Sequence, residues 1–200
     1  MKGFSLLELI IAISLFAIVA VTVFSIFNSG IASYKKIDES LFILQNSRII
    51  LDRISQDLKN SFLFSQDLSG FIGGPNEVSF FCLIEEYKEN QLKKRYAHIY
   101  YSFNEDKIMR LCLKDKDALK DKKELKSLEE PLAEDIKDLT FNYSYFSDQK
   151  DVSWQDSWLE KEKAPLGVKI NLTLFGPDKK RTYNFEKIVY ISLGEETKIK

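Results

Sequence analysis

The chain has 200 residues, with 29 Lys and Arg against 30 Asp and Glu and a formal net charge of −1. That balance argues against a nucleic-acid partner, which needs a basic face. With one histidine and two cysteines, there is no His-Glu-x-x-His or Cys-x-x-Cys pattern to hold a metal.

Residues 4–27 form an apolar run in which Glu8 is the only charged residue. As a helix the run is about 36 Å long, enough to cross a hydrocarbon core of about 30 Å. A cleaved secretory signal is the competing reading. Its apolar region is normally about 7–15 residues long and ends at a small-residue site, whereas this run is longer and acidic near its start. Lys2 on one side and Lys35 and Lys36 on the other leave the orientation open. A carboxylate in such a helix costs about 2.5–3.5 kcal/mol on insertion scales, so Glu8 needs a compensating partner and is a functional candidate.

Around Glu8, the segment Gly3-Phe4-Ser5-Leu6-Leu7-Glu8 resembles the processing motif of type IV prepilins. The resemblance implies that an inner-membrane prepilin peptidase cuts between Gly3 and Phe4 and that Phe4 is then N-methylated. Glycine before the cut lets the protease approach the backbone closely. The new α-amine is a charge that the Glu8 carboxylate of a neighbouring subunit can neutralise within lipid, setting the register of stacked subunits. The implied division is a leader at 1–3, a transmembrane and filament-core helix at 4–27, an amphipathic extension at 28–64 and a β-rich periplasmic domain at 65–200.

Beyond the membrane run, Ile37, Leu41, Leu44, Leu51, Ile54 and Leu58 recur mostly at spacings of three, four or seven. They predict one helix continuing to about Phe62, with Asp52, Arg53 and Asp57 among the residues on its other faces. Gly30 weakens the pattern by about 1 kcal/mol against Ala and suggests a bend. Gly70, Gly73, Gly74, Pro75 and Asn76 end helical structure. Strands are expected over 78–87, 96–103, 107–113, 139–146, 168–175 and 183–193. Asn104-Glu105-Asp106 forms a hairpin turn, and Gly176-Pro177-Asp178 turns between the last two strands. The fold class is therefore α+β: a long amino-terminal helix, membrane-embedded in its first half, packed on antiparallel sheet. The prepilin resemblance makes that fold pilin-like.

The charged segment 114–130 reads as a solvated loop or exposed helix, or as a partner-binding insertion. Cys82 and Cys112 fall on strands flanking 96–103, about 9–10 Å apart, beyond the roughly 7 Å a disulfide tolerates. Free thiols follow from that strand order; another order, in an oxidising compartment, would permit the bond. His98 alternates within an aromatic strand and is read as a strand-face residue, not a general base. No catalytic constellation emerges, and neither an enzyme nor a cofactor is expected.

The carboxyl-terminal half, with Asp135 to Tyr145, Trp154-Gln155-Asp156-Ser157-Trp158 and Ala164 to Ile170, resembles the J-type minor pseudopilin of type II secretion systems. That family places a strand with a Phe-x-Tyr core before a Trp pair, then a proline and a hydrophobic strand. The segment 114–130 departs from its pattern. Trp154 and Trp158 are read either as rings buried against a sheet edge or as an interface for a neighbouring subunit. The resemblance implies a single-pass inner-membrane protein with its domain in the periplasm, joining I-, K- and H-type minor pseudopilins at a filament tip after processing. No small-molecule substrate is implied. A minor pilin of a type IV pilus or DNA-uptake filament would share the amino-terminal motif.

Overall fold

The computed structural model describes residues 5–63, 70–88, 91–119, 129–147, 151–160 and 163–191. One helix, α1 (Leu6–Lys59), opens the chain. Strands β1 (Ser61–Phe62), β2 (Phe71–Gly73), β3 (Glu77–Lys88), β4 (Gln91–Asn104) and β5 (Lys107–Lys114) follow, then a 3-10 turn, η1 (Asp115–Leu119). The remaining strands are β6 (Glu130–Ala133), β7 (Ile136–Phe146), β8 (Val152–Gln155), β9 (Gly167–Phe175) and β10 (Thr182–Tyr190). The chain divides into two compact units, Met1–Leu44 and Gln45–Lys200, with the boundary inside α1.

In the first unit α1 runs through Gly30 without a break, and a Cβ there would meet nothing within 4 Å. Its apolar side chains from Leu6 to Phe27 are exposed in the isolated chain. α1 is long and apolar enough to cross a membrane.

In the second unit the last turns of α1 bury Ser47, Ile50, Leu51, Ile54, Ser55, Asp57 and Leu58. The sheets are antiparallel throughout: a six-stranded sheet ordered β1-β3-β4-β5-β6 with β2 also on β3, and a four-stranded sheet ordered β10-β9-β7-β8. Strand alternation sets the inner faces. In β9, Val168, Ile170, Leu172 and Leu174 are buried while Lys169, Asn171 and Thr173 between them are partly exposed. In β7, Leu139, Phe141 and Tyr143 do the same. β4 and β5 are joined by the two-residue turn Glu105-Asp106, with Glu105 left-handed at φ 59°. Between β9 and β10 the Asp178 carboxylate accepts the amides of Lys180 and Arg181, which holds its pKa below the usual carboxylate value.

Several expectations need correction. The helix ends at Lys59, not near Phe62, because Ser61 and Phe62 pair with Cys82 and Phe81 as β1. Ile37, Leu41 and Leu44 are exposed, whereas the buried stripe is Ile43, Ser47, Ile50, Leu51, Ile54 and Leu58. Apolar triplets at 42–44 and 49–51 put apolar groups on more than one helix face, so spacing found the buried face at Leu51, Ile54 and Leu58 and missed it at Ile37, Leu41 and Leu44. Phe71 and Ile72, lying within the glycine cluster, form strand β2. β6 and β8 were not expected: each is a four-residue edge strand, too short for alternation to show. Strand β10 ends at Tyr190, and 192–193 lie outside the described residues.

Tyr143 ties the two sheets together, donating its hydroxyl to the carbonyls of Gly74 (2.9 Å) and Glu77 (3.2 Å) and meeting Phe71 edge-on at 6.0 Å. Gly73 makes room for it: a Cβ at Gly73 would stand 2.1 Å from the Tyr143 hydroxyl oxygen. Gly73→Ala is therefore expected to destabilise the domain by about 1–3 kcal/mol through overpacking. Urea denaturation followed by tryptophan fluorescence measures this; an unchanged midpoint would show that Tyr143 gives way freely.

Candidate functional site

Gly3 and Phe4 lie outside the described residues. The helix begins directly after them, with the Ser5 carbonyl accepting the amides of Glu8 (3.0 Å) and Leu9 (3.2 Å). Glu8 sits in the first turn of α1 and is exposed, where the unpaired amides of a helix amino terminus favour a carboxylate. The run that follows satisfies its own polar groups: Ser14 donates to the Ile10 carbonyl (2.8 Å) and Thr22 to that of Val19 (2.7 Å). Hydroxyls bonded back in this way make no demand on lipid. Glu8 is left as the ionisable side chain of the run.

At the other end of α1 a second carboxylate is buried. Asp57 is 4% exposed. Its Oδ2 accepts the Tyr101 hydroxyl (2.6 Å) from β4 and the Arg110 Nε (3.0 Å) from β5, with a second Arg110 nitrogen at 2.9 Å. Arg110 Nε also reaches the Tyr101 oxygen at 3.1 Å, and Arg53 lies one helical turn back at 3.8 Å. Burial, then the Asp57 charge, pushes the Tyr101 hydroxyl well above its ordinary pKa. Sequence spacing puts Asp57 on a polar face of the helix, whereas the structure buries it. The nearest sequence signal was Arg110, a cation inside the strand Ile108-Met109-Arg110-Leu111, which needs an anion if buried.

The two tryptophans separate. Trp158 is 4% exposed; its indole donates to the Lys163 carbonyl (2.9 Å), and its backbone exchanges hydrogen bonds with Gly73. It joins the segment after β8 to β2. Trp154, half-buried in edge strand β8, carries the Lys169 ammonium 4.9 Å from its ring centre, a cation–π contact.

Cys82 and Cys112 are free, on β3 and β5 with β4 between them, as that strand order requires. Burial pushes the Cys82 thiol up to about 12, so it stays protonated and unreactive. His98 stacks on Phe81 (4.2 Å between centres) and shares a 2.8 Å hydrogen bond with Tyr100. Burial pushes its pKa down to about 4, against the opposing backbone of Ala118. In the charged segment, η1 is held by Arg95 Nη1 to Asp115 at 2.7 Å, Glu130 opens β6, and 120–128 lie outside the described residues. Among the described residues no cluster of three or more His, Cys, Asp or Glu could hold a metal ion.

A family model described as the prokaryotic N-terminal methylation motif matches residues 1–24. No curated protein matches the chain. The match spans Gly3, Phe4 and Glu8, and with the long apolar helix after it the chain is type IV prepilin-like at its amino terminus. It supports a pilin- or pseudopilin-type, single-pass membrane-anchored protein, a structural class and not an enzymatic one.

Removing the Asp57 carboxylate leaves Arg110 buried without its anion, so Asp57→Ala is expected to lose about 3–5 kcal/mol, and Asp57→Leu with Arg110→Met markedly less than either single change. Denaturant midpoints of Asp57→Ala, Asp57→Leu, Arg110→Met and the double variant decide this; additive losses would show that the ions do not act as a pair. Protonating His98 is opposed in the fold, where its pKa is about 4, but not in the unfolded chain, where it is about 6.5. Its contribution is fully present above pH 6.5 and lost as pH falls to 4, about 3 kcal/mol in all. His98→Gln should flatten that part of the stability–pH curve, and an identical slope in the variant would remove His98 as its source.

Proposed function

We propose that this chain is a minor pseudopilin of a type II secretion system, a component of the complex at the tip of the pseudopilus that primes filament assembly for protein export. The observation that carries the reading is the amino-terminal motif, Gly3-Phe4 with Glu8 four residues on, matched across residues 1–24 and continued by the apolar first half of α1. The carboxyl-terminal domain supports it. The Phe-x-Tyr strand of the J-type pattern is Phe141 and Tyr143 of β7, both fully buried, and Trp158 is built into the same domain.

On this reading the precursor waits in the inner membrane with its domain in the periplasm. The prepilin peptidase removes Met1 to Gly3, and Phe4 is methylated. The freed α-amine of one subunit and the Glu8 carboxylate of another are opposite charges within lipid, where an unpaired ion is costly. Meeting each other offsets that cost and sets the axial position of adjoining helices. I- and K-type subunits, with an H-type neighbour, are the partners, and Trp154 is the tryptophan with ring surface left to offer them. The chain contributes geometry and contact surface, not chemistry.

The mass and amino-terminal sequence of the protein isolated from its host membranes test the first step. The expected result is a start at N-methylated Phe4; an intact Met1, or a start near residue 20, would sink it. Glu8→Ala is expected to keep membrane insertion and cleavage while co-isolation with the other minor subunits falls. Undiminished co-isolation would remove Glu8 from assembly, and co-isolation with pilus or DNA-uptake subunits would assign the chain to that filament instead.

A further inference from the structure

Strands β3 and β4 run on together past their neighbours. β1 pairs β3 no further than Cys82, β2 pairs it from Val78 to Phe80, and β5 pairs β4 no further than Ala97. Beyond these points Leu83 to Lys88 pair with Gln91 to Tyr96, and among the described residues no third strand joins them. The base of this arm is tied to the end of α1 by the Leu83 amide, which donates to the Asn60 carbonyl at 3.0 Å.

The arm has two unlike faces. On one, Glu86 meets Lys114 at 2.9 Å and Arg95 at 3.5 Å, and Arg95 meets Asp115 at 2.7 Å. These ion pairs hold the arm to the end of β5 and to η1. The other face carries three cross-strand pairs in order: Leu83 with Tyr96, Glu85 with Lys94, and Tyr87 with Leu92. Leu83, Tyr87 and Leu92 are 45%, 72% and 58% exposed, and Glu85 and Lys94 stand 3.6 Å apart. A solvent face of antiparallel strands is ordinarily polar; an apolar one marks a contact surface.

We propose that this face pairs with the same face of a second copy of the chain. Its order, apolar then charged then apolar, is self-complementary about a twofold axis lying in the interface parallel to the strands. That axis exchanges the two strands of the arm. Glu85 of each copy meets Lys94 of the other, Tyr87 meets Leu92, and Leu83 meets Tyr96. A twofold axis across the strands sets Glu85 on Glu85 and Lys94 on Lys94, which like-charge repulsion disfavours. Three side-chain pairs fall well short of the roughly 800 Å² per partner of a stable interface. Pairing therefore depends on anchors confining both copies to one membrane and raising their effective concentration. In this it rests on the membrane-anchored reading above.

The test uses the full chain in vesicles of phosphatidylethanolamine and phosphatidylglycerol, with energy transfer measured between copies carrying donor or acceptor on a carboxyl-terminal tag. Wild-type chains are expected to transfer above the level of randomly diluted copies. Glu85→Lys alone and Lys94→Glu alone should each lower that excess at least about fivefold, because four like charges then meet. An equal mixture of the two variants should restore it, since the positive pair of one meets the negative pair of the other. Wild-type transfer at the random level, transfer indifferent to either substitution, or no recovery in the mixture each overturns the pairing while leaving the anchor intact. A chain that fails to float with the vesicles overturns the anchor, and the pairing with it.

Discussion

The Asp57 carboxylate is the interaction on which the β-rich unit depends, since one oxygen of α1 receives a hydroxyl from β4 and a guanidinium from β5. Among the described residues it is the only buried carboxylate. Hydrophobic burial is non-directional, so Ile50, Ile54 and Leu58 could slide or rotate on the sheet with modest loss. A buried carboxylate that accepts from both the Tyr101 hydroxyl and the Arg110 guanidinium has one acceptable position. Ser47 and Ser55 are buried on the same face, and the Ser55 hydroxyl is satisfied by the Leu51 carbonyl.

Glu8 poses the same electrostatic problem in the other unit and meets a different answer. Asp57 is neutralised within its own chain; Glu8 is exposed, while the Ser14 and Thr22 hydroxyls after it are already paired. A carboxylate in an apolar, membrane-length helix carries a cost that an opposite charge offsets. That difference marks Asp57 as a residue that builds the fold.

The long strands were legible as aromatic and β-branched runs, alternating in β9 from Val168 to Phe175, and bounded by strong turn residues such as Gly176-Pro177-Asp178. Free thiols at Cys82 and Cys112 followed from a strand order the structure bears out. The short edge strands β6 and β8 carry too few residues for a pattern. The buried helix face was misread at Ile37, Leu41 and Leu44, and Asp57 was placed with the polar residues. The reason is common to both: spacing records which residues share a face, and not which face has something to pack against.

By itself the sequence determined the amino-terminal half of the account. Gly3, Phe4 and Glu8 match a motif through local spacing, and the apolar run is read through length and composition; neither property needs a folded partner. It also determined the α+β class, since strand and turn signals are local. Only the tertiary structure decided that Asp57, Tyr101 and Arg110 meet, that Trp158 is packed against β2 while Trp154 is half-buried beneath Lys169, and that β3 and β4 extend as an arm. Those facts depend on which strands become neighbours. Neighbours are chosen by long-range pairing and by the satisfaction of buried polar groups across the whole domain, and no local window of sequence carries that information.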